Sequence, residues 1–178
     1  MARISNRQWA LKPQDLYVLL ALLSYGGKAV TYAELAEKTG LAPSAVHASL
    51  KRAVAARLAI FKERRPVLLG LQLKEFLLQG AKYAFPPVWG SLTRGVPTGY
   101  AAAPLNSIIV PSSDPVPVWP HPKGEARGIS LAPLYPSVPD AVLKDVRLYE
   151  ILALFDALRS GQAREREQAA KLLEGYFT

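Results

Sequence analysis

The sequence predicts a mainly α-helical chain that carries one small β-wing. Three observations predict it. Apolar residues recur at helical spacing from Gln14 to about Arg57 and again from Asp140 onwards. A charged tip, Lys62-Glu63-Arg64-Arg65-Pro66, separates two short β-prone runs, Leu58–Phe61 and Val67–Leu69. Twelve of the fifteen prolines fall between residues 84 and 139, where charge nearly vanishes. The expected organisation is therefore a helical unit with a wing at 1–83, a proline-rich extended segment at 84–139, and a C-terminal αα-hairpin at 140–178 that makes a dimer or partner contact.

The first helix, QDLYVLLALLSY, follows Pro13 and stops at Gly26-Gly27. It is apolar on most sides, so it should be the buried scaffold of its domain. A second helix runs from Thr31 to Lys38, with Thr31 and Glu34 forming a capping box at its start. The chain then turns through Thr39-Gly40-Leu41, where glycine is the residue that leaves a helix through a left-handed conformation at no steric cost. A third helix begins near Pro43. Small Ala36 lets the two helices cross closely, and Leu35, Leu41, Val46 and Leu50 form the seam between them. At about 100° per residue, Val46, Leu50 and Ala53 face inward, while Ser44, Ala48, Lys51 and Ala55 face outward, flanked by His47 and Arg52. That outer face is small, polar or basic, and it suits base edges and phosphates.

The charge of +8 is unevenly distributed. Residues 1–82 hold 13 Lys/Arg against 5 Asp/Glu, whereas residues 83–139 hold 3 against 2 and residues 140–178 hold 6 against 7. The whole excess lies in the segment with the helix-turn-helix spacing, which points to a polyanionic partner for that segment.

Helix, helix, helix and basic hairpin is the order of a winged helix, and residues 14–69 resemble the winged helix-turn-helix of MarR-type bacterial regulators. The resemblance implies that the second motif helix reads the major groove of double-stranded DNA while the wing reaches the flanking backbone or minor groove. Ser44, His47, Lys51 and Arg52 are then expected at the major groove. Thr31 and Tyr32 are expected at phosphate, where helix-terminal N–H groups favour anions, and Lys62, Arg64 and Arg65 of the wing at the flanking backbone. Three departures from the family pattern stand out. Ser49 occupies a position where an aliphatic residue often packs, with Leu50 as its substitute, and the long terminal dimer helices of MarR proteins cannot be aligned. Pro43 and the alanines that follow leave few bidentate base readers, so specificity is expected to need the wing or a second subunit.

Beyond the wing, LQLKEFLLQGAKY should form a helix from Leu71 to Tyr83, with Gly80 as its weak point and Pro86-Pro87 as its limit. Residues 84–139 are too proline-rich for helix or central strand, yet Ile108–Val110, Val116, Val118, Trp119, Ile129, Leu131 and Leu134 are too apolar for a free linker. An extended, ordered segment wrapped over the domain or over a partner is expected. Trp89, Tyr100, Trp119 and Tyr135 in this stretch either line a small-molecule pocket or pack against proline. In VRLYEILALFDALRSG, Val146, Tyr149, Leu152 and Phe155 share one face. In the last helix Ala169, Leu172, Leu173, Tyr176 and Phe177 lie within. A hairpin this short needs the body of the protein or another subunit to cover it.

Several chemistries are set aside. The chain has no cysteine and only two histidines, His47 and His121, so no metal centre or cofactor is expected. Ser112-Ser113-Asp114 with His121 lacks a nucleophile elbow, and SSDP reads as a turn. Gly90, Gly95 and Gly99 lack the spacing of a phosphate loop. The acidic residues of the last helices alternate with arginines and read as solvated ion pairs. His47 is either an unremarkable surface histidine or a donor to base or phosphate. No stretch is apolar enough for a signal peptide or membrane span, so a cytoplasmic, non-enzymatic protein is expected. The function expected first is a transcriptional repressor acting as a homodimer on a two-fold operator. The alternative is the antitoxin of a two-gene toxin–antitoxin or phage-defence module, which binds a toxin through residues 84–178 and represses its own operon.

Overall fold

The computed structural model describes residues 9–110 and 115–177. Helix α1 (Pro13–Leu23) is buried from Asp15 to Leu23 and forms the axis of the N-terminal unit, as its all-round apolar character predicts. Around it pack α2 (Tyr32–Thr39), α3 (Pro43–Ala55) and a two-stranded wing, β1 (Ala59–Lys62) and β2 (Arg65–Leu68). The capping box on α2 forms as expected: Glu34 N–H donates to Thr31 Oγ1, and Thr31 N–H donates to Glu34 Oε2. Gly40 ends α2 with φ of +70°.

The wing is tighter than the expected five-residue tip. Lys62 pairs directly with Arg65, leaving Glu63 and Arg64 as a two-residue loop with φ of +50° and +63°. Positive φ at both central residues is the twist-matched hairpin geometry, normally filled by Asn and Gly.

After the wing, α4 (Gly70–Glu75), a π-helical turn at Phe76–Gly80 and α5 (Ala81–Ala84) run on as one helical stretch. The expected weakness at Gly80 takes the form of a π-bulge, with Ala81 N–H reaching back to the carbonyl of Phe76. The Phe76 ring lies over Gly80, where an added Cβ would come within 3.1 Å of it.

Residues 84–139 depart most from expectation. Instead of an extended wrap without central strands, they form a closed three-stranded barrel. Strand β3 (Trp89–Pro97) pairs antiparallel with both β4 (Pro117–Pro120) and β5 (Ala126–Leu131), and β4 pairs parallel with β5. Proline lacks the donor but keeps its carbonyl, and the carbonyl is what the sheet uses: Thr98 N–H donates to Pro117 O at 2.9 Å. The barrel interior is too narrow for side chains on most strands. A Cβ on Gly95, Gly124 or Gly128 would fall within about 2 Å of backbone, at 2.1, 2.1 and 1.9 Å respectively. The buried Val118 side chain lies between Gly95 and Gly128, about 3 Å from where a Cβ on either would stand, at 3.0 and 2.9 Å.

Helix α6 (Val138–Val142) leads to α7 (Val146–Ser160) and α8 (Ala163–Glu174). The αα-hairpin is present, but α7 is not amphipathic. Every residue from Ile151 to Leu158 is buried, so α7 is the central helix of the C-terminal half. Val146, expected on its apolar face, is 71% exposed because it precedes the buried stretch. The body of the same chain covers the hairpin. Leu20 of α1, Leu105, Trp119 and Phe155 belong to one hydrophobic cluster that runs through all three stretches of the sequence.

Asp156 corrects the reading of the C-terminal acids as solvated. It lies buried beneath the barrel, where Trp119 Nε1–H and Thr98 Oγ1–H donate to its Oδ2 at 2.7 and 2.8 Å. Arg159 donates to its Oδ1 at 2.7 Å and also to the carbonyl of Ala132. Glu167 and Lys171, by contrast, form an exposed pair of the expected kind.

Candidate nucleic-acid interface

Helix α3 is held from behind by a polar network. Asp15, fully buried on α1, accepts two parallel hydrogen bonds of 2.7 Å from the Arg52 guanidinium and a third from Lys12 N–H. Ser49 is buried beside it and accepts from Gln14 Nε2 at 2.9 Å. The Asp15 hydrogen bond is the main influence holding the Arg52 guanidinium above its ordinary pKa. Two departures are explained together. Ser49 replaces an aliphatic residue because its neighbour is a buried ion pair that needs a polar partner. Arg52, expected at the major groove, instead turns back onto α1 and anchors the helix.

The opposite face of α3 matches its expected orientation. Ser44, His47, Lys51 and Ala55 are exposed, and Val46, Leu50 and Ala53 are buried. His47 is not isolated. Its ring stands edge-on to Tyr32 with centroids 5.4 Å apart and stacks near Phe61 at 6.3 Å, while Tyr32 and Phe61 meet at 6.4 Å. These three rings join the start of α2, the middle of α3 and wing strand β1. Sequence periodicity placed Phe61 only in a β-prone run, and nothing in the spacing signals its contact with His47.

The start of α2 differs from expectation. Thr31 was expected to meet phosphate, but its N–H and hydroxyl both donate to Glu34 Oε2 at 2.7 Å. The carboxylate occupies the position an incoming anion would take at this helix terminus. Its pKa is lowered first by the Thr31 backbone N–H and hydroxyl, with a smaller contribution from the nearby charge of Arg65. Tyr32 is turned toward His47.

The wing exposes Lys62, Arg64 and Arg65 to solvent, with Glu63 beside them. Behind it lies a groove of about 660 Å³, lined by Lys28, Lys62 and Arg65 above a floor that includes Leu22, Pro66 and Leu68. Lys28 thus joins the basic surface, although it lies outside both the motif helices and the wing. Among the described residues no group of His, Cys, Asp and Glu is arranged to hold a metal ion. His121 meets Asp140 at 3.0 Å, and Ser112, Ser113 and Asp114 lie outside the described residues. Trp119 and Tyr135 are used in packing, the latter stacked on Tyr17. No helix among the described residues is long and apolar enough to cross a membrane.

The helix-turn-helix joined to a basic two-stranded wing decides the kinship of this unit. Residues 11–66 match the MarR family. The match, over less than a third of the chain, supports a MarR-like winged-helix DNA-binding segment and, with it, a winged-helix transcriptional regulator. The matched span covers α1 to the start of β2 and stops before the barrel. No curated protein and no solved structure matches the chain.

Proposed function

We propose that the protein is a transcriptional repressor that binds a two-fold DNA site as a homodimer. In this reading Ser44, His47 and Lys51 on α3 face the major groove, and Lys62, Arg64 and Arg65 grip the flanking phosphates. The observation that carries it is the exposed basic and polar surface shared by α3 and the wing, locked into one unit by Tyr32, His47 and Phe61. Arg52 serves as the anchor of the reading helix rather than a reader, and Glu34 rather than phosphate caps α2. The sparse polar set on α3 favours two half-sites read together, because each good bidentate contact contributes only ~1–3 kcal/mol of discrimination.

The test is a salt-titrated binding assay on the duplex upstream of the protein's own gene, with sedimentation of the protein on and off that duplex. Arg64→Ala combined with Arg65→Ala should weaken binding to every sequence and reduce the logarithmic salt slope by about two. An unchanged affinity and slope would remove the wing from the interface, and one protomer per site at saturation would remove the homodimer. The antitoxin alternative needs residues 84–178 to offer their apolar surface to a toxin. Val118, Trp119, Leu131 and Leu134 are instead buried in the chain's own core, so no specific observation favours it.

A further inference from the structure

We propose that the outer face of the barrel is a second nucleic-acid site, separate from the winged helix, that takes single-stranded nucleic acid. The first observation is a register. Arg94 of β3 and Arg127 of β5 are direct antiparallel partners, both exposed, and neither enters an ion pair among the described residues. Like charges placed directly opposite each other on adjacent strands are destabilising, so the arrangement calls for an anion. The second is distribution. Residues 83–139 contain just three Lys/Arg, namely Arg94, Lys123 and Arg127. All three come to one end of the barrel, because the β4–β5 turn that carries Lys123 is tied back to β3 by His121 N–H donating to Arg94 O.

The third observation is the surface beside these cations. Leu131, Ile129 and Arg127 alternate along one side of β5, and their partners on β3 are Trp89, Leu92 and Arg94. Gly95, Gly128 and Val118 lie on the opposite side, and on this one Arg127 is exposed and Ile129 half-buried, while Leu131 is buried beneath its partner Trp89. Trp89 is 45% exposed and Leu92 56% exposed. The strip thus runs from an indole to a pair of guanidinium groups over about 13 Å, at about 3.3 Å per residue. At its basic end is a cleft of about 290 Å³ whose lining includes Leu92, Arg94, Arg127 and one acid, Glu125. An exposed ring within reach of cations is how sequence-tolerant single-strand binders work: phosphates follow the charges and bases stack on the ring. A duplex backbone would use the arginines but not the indole.

The test uses the full chain and a fluorescein-labelled oligothymidylate of about 12 nucleotides, read by anisotropy and by quenching of tryptophan fluorescence. Arg94→Ser with Arg127→Ser should lower single-strand affinity at least tenfold. It should also reduce the logarithmic salt slope by about 1.4, since each single-strand phosphate contact contributes about 0.7. Affinity for the upstream duplex should stay unchanged. Arg64→Ala with Arg65→Ala should do the reverse, so failure of the barrel site and failure of the winged-helix reading give different results. Trp89→Phe should remove most of the quenching, and it serves as the readout if the double arginine variant does not fold. The proposal is overturned if the arginine variant folds and binds the oligonucleotide as wild type does, or if Trp89→Phe leaves quenching intact. It is also overturned if poly-glutamate displaces the oligonucleotide at equal charge concentration, which would mark the face as a site for acidic peptides.

Discussion

Arg52 and Asp15 meet through two parallel hydrogen bonds of 2.7 Å, one partner on the reading helix and the other fully buried in the helix behind it. Bidentate pairing restricts the rotation of α3 about its own axis as well as its distance from α1. The orientation of Ser44, His47 and Lys51 therefore depends on a residue that points away from them.

Arg52→Ala should destabilise the fold by roughly 3 kcal/mol, because it leaves a buried carboxylate without its countercharge. Urea unfolding measures that loss. In protein that remains folded, the salt slope of duplex binding should be unchanged, since Arg52 meets no phosphate. Lys51→Ala should give the opposite pattern: little change in stability and a slope lower by about one. A slope change in the Arg52 variant would return it to the DNA surface.

Much of the winged unit could be read in the sequence because its signals are local. The Thr31–Glu34 box, the left-handed Gly40 and the inward Val46, Leu50 and Ala53 all follow from spacing within one or two turns. Arg52 could not be placed this way, since its partner is 37 residues away and helical periodicity puts it only at the margin of the face. The barrel was illegible for a different reason. Proline counts against a central strand because it lacks a donor, but Pro117 contributes a carbonyl, and the closed sheet needs acceptors there. Gly95 enters the sequence reading only as a rejected phosphate-loop position, and no local signal marks Gly124 or Gly128, whereas all three let neighbouring backbone approach closely.

The buried Asp156 is the joint between barrel and α7. Asp156→Ala would leave Trp119 N–H, Thr98 hydroxyl and Arg159 without their acceptor, at a cost of about 3–5 kcal/mol. The variant should lose the near-ultraviolet signal of Trp119 at lower denaturant than wild type. Stability within about 1 kcal/mol of wild type would show that water replaces the carboxylate.

Stability should depend on pH at both ends. For Asp145, burial opposes the charge, but the Lys38 ammonium and Leu148 N–H outweigh it and hold the carboxyl below its usual range. A depressed folded pKa means that this contribution is present above the unfolded value of about 3.9 and is lost as pH falls through the folded one. For Tyr149, burial pushes the hydroxyl up to about 12, with Glu125 adding to the shift, and the hydroxyl donates to Pro97 O. A raised folded pKa means that its contribution is complete below about pH 10 and is lost between there and pH 12. Unfolding midpoints measured across pH should show Lys38→Ala flattening the acid limb and Tyr149→Phe flattening the alkaline one.

The wing tip sets stability against binding. Arg64 holds φ of +63° without being glycine, and Glu63 holds +50° beside it. Lys62 and Arg65 are also direct cross-strand partners of like charge. Arg64→Gly removes the side chain from a left-handed position and takes one charge from the tip, so the fold should gain up to about 1 kcal/mol in thermal unfolding. The same change should lower duplex affinity and reduce the salt slope by about one. A stabilised wing with undiminished affinity would mean that Arg64 does not reach the backbone. A wing that gains no stability would mean that Arg64 is held in place by contacts that offset its strain.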